Sequence, residues 1–205
     1  MGFFDKLVGS TDGEVIANGI LGRGEITNVS ISGVTVKTSN NLVERKCTFS
    51  LTVMIDNVAP FQASAVQRIP QVALARLARG AVVPVRVDPK DHGKVFIDFK
   101  SELPTVTVPR STGENSAAHI LEHGRPIKVI FLGSQPMKLR NADGVEMFIL
   151  TLTVYEGVDT PYQLQVGNPV PASALPLAYP GSKLHAKLGN GPNNVVVDWA
   201  AGPAA

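Results

Sequence analysis

Apolar and polar residues alternate along Cys47-Thr48-Phe49-Ser50-Leu51-Thr52-Val53-Met54-Ile55, with Phe49, Leu51, Val53 and Ile55 on one side and Ser50, Thr52 and Met54 on the other. A period of two is that of a strand with one face in a core. Comparable runs, bounded by Gly, Pro, Asn and Ser, predict further strands over 24–31, 60–67, 82–87 and 94–99, then over 124–132, 147–155, 161–166, 183–188 and 194–199. Ser32-Gly33 and Gly133-Ser134 read as hairpin turns, and Ser39-Asn40-Asn41 and Asn141-Ala142-Asp143-Gly144 as polar turns. Pro70 and Pro171 suit the first turn of a short helix, and Gly80 and Gly181 its end.

The second set of elements repeats the first. Shifting the chain by 101 residues sets Ile26 on Ile127, Leu51-Thr52-Val53 on Leu152-Thr153-Val154 and Pro60-Phe61-Gln62 on Pro161-Tyr162-Gln163. The same shift sets Pro70 on Pro171, Leu74 on Leu175, Gly80 on Gly181 and Val95 on Val196. A shift of 100 sets Asp98-Phe99 on Asp198-Trp199, and Ile20-Leu21 with Gly24 on Ile120-Leu121 with Gly124. The shared residues are those that set turns and cores, and their order holds over about 80 residues.

The expected fold class is therefore all-β with minor α: two tandem small β-barrels of the OB or SH3-like kind, each with one short helix. Closing each sheet would hide its edges. The expected layout is a short N-terminal amphipathic helix over 1–13, a first domain over 14–100, a polar linker over 101–117, a second domain over 118–200 and a tail over 201–205. Thr105-Val106-Thr107-Val108 within the linker reads as an edge strand. Each domain has a thin core, so packing on the other copy or on a partner is expected.

Pro and Gly together make 34 residues, which fits short strands and turns better than long helices. Cys47 stands alone, so no intrachain disulfide forms; it reads as a packed strand residue in a cytoplasmic protein. No signal peptide is read at the start, and no apolar run approaches the ~18 residues of a spanning helix. The net charge of +2 implies no nucleic-acid partner by itself, but its distribution is uneven. Residues 17–100 hold eleven Lys and Arg against six acids, and 118–205 hold six against six. Arg68, Arg76, Arg79 and Arg86 form a candidate basic face, with Lys90 and Lys94 near it.

The run Leu74-Ala75-Arg76-Leu77-Ala78-Arg79-Gly80-Ala81-Val82-Val83-Pro84-Val85-Arg86-Val87-Asp88-Pro89-Lys90-Asp91, with Val95 and Ile97 and with Ile20-Leu21-Gly22-Arg23-Gly24 followed by Val29, resembles a module of uncharacterised actinobacterial proteins. The resemblance is weaker in the second copy, where Leu188-Gly189-Asn190-Gly191 replaces the Val-Asp-Pro-Lys turn. It implies a bacterial β-domain, often found near membrane-associated proteins, and it carries over no catalytic residues.

His119-Ile120-Leu121-Glu122-His123 matches the H-x-x-E-H pattern of zinc proteases. Two histidines at i and i+4 share a helix face and can bind zinc, with the glutamate as base. Gly124 and Pro126 cut such a helix short, and the segment takes the place of 19–23 in the first copy, which has no such chemistry. His119 and His123 are therefore weak metal candidates, and no cofactor is expected. Asp98 and Asp198 are matched acids that read as turn or strand-pairing residues. The chain has no G-x-S-x-G, P-loop or C-x-x-C, and Gly22-Arg23-Gly24-Glu25 lacks the later glycine of a dinucleotide fingerprint.

Phe3, Phe4, Leu7 and Val8 make one apolar stripe, with Asp5 and Lys6 opposite, and read as a docking segment. Such a segment enters a groove on a partner or acts with other copies. The function expected from the sequence is a non-enzymatic adaptor or assembly subunit of a larger bacterial complex, cytoplasmic, with a peripheral place at the inner membrane face as an option. Its partner is another protein or a second copy, with a membrane surface as a further option. The alternatives are an OB-like nucleic-acid binder using the basic face and a zinc-dependent hydrolase using His119 and His123.

Overall fold

The computed structural model describes residues 18–37 and 43–205. It is mostly β, and the chain divides into two compact units, one ending at Val108 and one beginning at Pro109. The first holds β1 (Ile20–Lys37), β2 (Val43–Met54), β3 (Phe61–Pro70), a 3₁₀ turn (Gln71–Arg76), β4 (Val82–Asp88), β5 (Asp91–Ile97) and β6 (Val106–Thr107). The second holds the helix Ala117–His123, β7 (Arg125–Arg140), β8 (Glu146–Glu156), β9 (Tyr162–Pro169), a 3₁₀ turn (Ala172–Leu177), β10 (Lys183–Leu188), β11 (Val195–Val197) and a last 3₁₀ turn (Trp199–Ala201).

The period of two in β2 has its physical consequence. Cys47, Phe49, Leu51 and Val53 are fully buried, with Ile26, Ile69, Val85, Val87 and Ile97 around them. Phe131, Leu150, Leu152, Val154, Leu164 and Leu184 form the matching core of the second unit. Each such side chain contributes about 1.5–3 kcal/mol by leaving water. Pro70 and Pro171 cap the 3₁₀ turns at their starts. Gly80 and Gly181 then take φ of 86° and 93°, a region that glycine enters without steric cost.

The expected hairpins at Ser32-Gly33 and Gly133-Ser134 do not form. β1 and β7 run through these pairs as single long strands, and the ladder shifts register between Ile31 and Thr35 and between Phe131 and Gly133. Extra residues are absorbed as bulges, which bend a strand without reversing it. In the second unit the reversal comes at Asn141, whose side-chain oxygen accepts from the N–H groups of Asp143 and Val145.

Strand pairing also corrects the repeat. Leu51 pairs Ile26, while its counterpart Leu152 pairs Phe131, so the first strands match at an offset of 105 and not 101. The bulge at Thr27 then falls on the bulge at Leu132. The first hairpin carries two further pairs, Val36 with Glu44 and Lys37 with Val43, which supply the four-residue difference. The last strands match at 100, because Val85 pairs Ile97 and Ala186 pairs Val197. Asn18, the first described residue, is helical and corresponds to His123, the end of the helix before β7. His119–His123 thus does not replace 19–23; it replaces 14–18, of which only Asn18 is described.

The two sheets end differently. The first runs β1-β2-β3-β5-β4 and closes on itself, and the second runs β11-β10-β7-β8-β9 with β9 and β11 at its ends. Gly22 and Gly24 are buried on β1 where the second unit has Ile127 and Val129. A Cβ on Gly22 would lie 2.5 Å from Ile55 Cγ2, and one on Gly24 2.8 Å from Val85 Cγ1. Two missing side chains let β1 approach both neighbours and tighten the ring. One device nonetheless bridges the seam in both units. The Gln67 amide donates to Ile97 O (3.1 Å) and accepts from Ile97 N (2.6 Å). Asn168, its counterpart, donates to Val195 O (3.1 Å) and accepts from Val197 N (3.0 Å). A buried side-chain amide thus does the work of a strand's backbone.

Candidate functional site

In the second unit an open groove of about 480 Å³ is lined by Arg125, Asp159, Tyr162, Leu188, Gly189 and Pro192, among others. The Tyr162 ring lies along it, and its hydroxyl donates to Pro192 O (2.9 Å). Burial pushes the Tyr162 hydroxyl above its ordinary pKa, and the Arg125 charge offsets part of that rise. In the first unit the matching pair is Phe61 stacked on His92, with centroids 5.3 Å apart. An aromatic from the start of the third strand therefore holds the last loop in both copies. The groove can receive a side chain or a small ligand.

Arg86, Asp98 and Asp198 are engaged in structure. Arg86 donates from Nε to Asp98 Oδ2 (3.0 Å), from Nη1 to Gly19 O (3.2 Å) and from Nη2 to the Ser101 hydroxyl (3.3 Å). The Ser101 hydroxyl donates to Asp98 (2.6 Å), whose other oxygen accepts from the Lys100 and Ser101 amides. Burial pushes the Asp98 carboxyl up, but the Ser101 hydroxyl, Arg86 and the two amides outweigh it and hold the pKa below its ordinary value. Asp198 accepts from the Ala201 amide and caps the last 3₁₀ turn. Cys47 is fully buried, and burial raises its thiol pKa while Arg45 lowers it. A protonated, inaccessible thiol is no nucleophile.

The stretch 101–117 is tied at both ends. Thr107 donates to Asp56 Oδ1 (2.7 Å) and its carbonyl accepts from Asn57 (2.9 Å) in the first unit. Arg110 pairs with Asp143, and Glu114 and Asn115 accept from Asn190 and Asn194, in the second.

The candidate residues separate. Arg68 is exposed on β3, and Arg76 and Arg79 are exposed in and after the 3₁₀ turn. Arg86 leaves the proposed basic face, because its guanidinium is spent on Asp98, Gly19 and Ser101. Lys46 joins the face instead, directly opposite Arg68. His119 and His123 share one helix face, with ring centroids 4.6 Å apart, and His123 Nε2 lies 3.5 Å from Glu122. Among the described residues no three His, Cys, Asp or Glu come together as metal ligands. Phe3, Phe4, Leu7 and Val8 lie outside the described residues.

Lys46, Tyr162 and the Gln67–Asn168 pair escaped the sequence reading. The 101-residue shift already aligns Gln67 with Asn168, two amides at a position otherwise flanked by strand residues. Lys46 becomes visible only once the β2–β3 register is known. No protein-family model and no curated protein matches the chain. Among the described residues no helix is long and apolar enough to cross a membrane.

Proposed function

We propose that this protein is a non-enzymatic adaptor, two small β modules of the OB or SH3-like kind, the first closed and the second open between β9 and β11, that dock a larger assembly through their outer surfaces. The single observation that carries this is the apolar exposure of the 3₁₀ turns. Val72 is 82% exposed in the first turn, and Leu175 and Tyr179 are 54% and 59% exposed in and after the second. Isolated exposed apolar groups are ordinary, but the same projecting element carries them in both copies. Tyr is also enriched at the centres of interfaces. The reading places the protein in a bacterial cytoplasm, in line with its likeness to the actinobacterial module. It leaves Phe3, Phe4, Leu7 and Val8 as a further docking element, toward a protein or the inner membrane face.

The nucleic-acid reading has less support. Single-stranded nucleic acid is held by stacking on aromatics; in the first unit Phe49 is buried, Phe61 is stacked on His92, and the exposed Phe99 lies outside β2, β3 and the turn that carry Lys46, Arg68, Arg76 and Arg79.

The test is recovery of the tagged full chain from its own cells after mild cross-linking, beside a variant carrying Val72→Asp, Leu175→Asp and Tyr179→Ser. These side chains are exposed, so the variant keeps its fold. A defined set of cross-linked species that disappears in the variant supports the adaptor; identical recovery from both refutes docking through the turns.

A further inference from the structure

The antiparallel register of β2 and β3 sets Lys46 opposite Arg68 and Thr48 opposite Val66. All four are exposed, so they share the outer face. Side chains directly opposite on one face stand about 4.5–5.5 Å apart at Cβ, where like charges repel. Neither Lys46 nor Arg68 is in an ion pair with a described residue, whereas Arg86, Lys94, Arg110, Lys128 and Arg140 each are. β3 leads through Pro70 into the turn that carries exposed Val72, Arg76 and Arg79. One continuous run of chain therefore carries three cations without an ion-pair partner among the described residues and two exposed valines, Val66 being 51% exposed.

The second unit shows that the fold does not require this. At the matching positions it has Met147 for Lys46, Ile149 for Thr48, Gly167 for Val66 and Pro169 for Arg68. The inward residues Leu51 and Val53 meanwhile recur as Leu152 and Val154, all fully buried. The copies kept their core and diverged on this face. A like-charged cross-strand pair costs the free protein stability, and a negative partner removes that cost.

We propose that the outer β2–β3 face and the following 3₁₀ turn bind an acidic polypeptide segment that also carries aliphatic side chains. The carboxylates neutralise Lys46, Arg68, Arg76 and Arg79, and the aliphatic groups cover Val66 and Val72. Nucleic acid fits this face less well, because it has no aromatic side chain for a base to stack on. A lipid surface fits less well too, because two valines give little area to insert. This names the partner chemistry of the adaptor proposed above, and it rests on that reading.

The test uses the full chain and fluorescence anisotropy with three probes: a labelled Glu-rich peptide carrying leucines, a single-stranded oligonucleotide of equal charge, and phosphatidylserine vesicles. The peptide is expected to bind saturably, and the Lys46→Glu/Arg68→Glu double variant to weaken it about tenfold or more. Lys46→Glu alone faces Arg68 with an opposite charge, so it is expected to melt no lower than the wild type while still losing affinity. Unchanged peptide binding in the double variant, tighter binding of the oligonucleotide or the vesicles, or no binding of any probe overturns the proposal. If charge reversal is silent while the Val72, Leu175 and Tyr179 variant still loses its cross-linked partners, the adaptor reading stands and only the acidic partner falls.

Discussion

Replacing Asn168 with Leu removes the amide that bridges β9 and β11 while keeping a side chain of similar size. Asn168 is 1% exposed, so its two partners, Val195 O and Val197 N, lose hydrogen bonds at a site water reaches poorly. A buried backbone group left unpaired costs about 1–3 kcal/mol. Two such groups give roughly 2–6 kcal/mol, with no cavity cost because Leu keeps the branching and is the bulkier side chain. Trp199 is the sole tryptophan, and its Nε1 donates to Pro169 O (2.8 Å) one residue from Asn168. Its fluorescence in a urea titration therefore follows the second unit. With a urea slope near 1–2 kcal/mol per molar for about 100 residues, the midpoint is expected to fall by on the order of 2 M. Gln165→Leu is the control: Gln165 is exposed, its one bond is a 3.4 Å contact to Thr151, and the expected cost is below about 0.5 kcal/mol. An Asn168→Leu midpoint within about 0.3 M of wild type would refute the idea that this amide holds the seam.

Gly22→Val and Gly24→Val each drive a Cβ to within 3 Å of a neighbour. Each is expected to destabilise the first unit by about 1–3 kcal/mol, read by far-UV circular dichroism, with the Trp199 transition unmoved. Asp98 has a depressed pKa, so it contributes stability above its unfolded pKa of about 3.9 and loses it as pH falls through the lower folded value. Wild type should therefore lose stability below about pH 4 more steeply than Asp98→Asn, and parallel acid profiles would contradict the Arg86–Asp98–Ser101 clasp. His119→Ala with His123→Ala is expected to leave the zinc content of the purified protein and its thermal midpoint unchanged. Stoichiometric zinc lost in that variant would revive the hydrolase.

What the sequence made legible was the local chemistry. Alternation over 47–55 named the buried side of β2, and the matched Pro70 and Pro171 named the starts of both turns, which end at Arg76 and Leu177, four residues short of the expected Gly80 and Gly181. What it hid depends on pairing between strands. Ser32-Gly33 carries turn residues, yet a bulge uses the same residues for a different end, so β1 was read as two strands. Ile120-Leu121 with Gly124 matches Ile20-Leu21 with Gly24 letter by letter, although the first set straddles a helix end and the second lies in β1. Small apolar residues followed by glycine serve both structures, and only the ladder distinguishes them. Arg86 looked like its neighbours Arg76 and Arg79 until the approach of Asp98 and Gly19 O showed where its charge goes. Lys46 joined the basic face for the converse reason, a cross-strand neighbour far away in sequence.

The most direct measurement is the mass of the protein as it exists in its own cells, by sedimentation of a lightly cross-linked, endogenously tagged full chain. A species well above the mass of one chain, reduced to a single chain by Val72→Asp, Leu175→Asp and Tyr179→Ser, is the result expected of an adaptor. A single chain in both samples, with the fold intact, would contradict it.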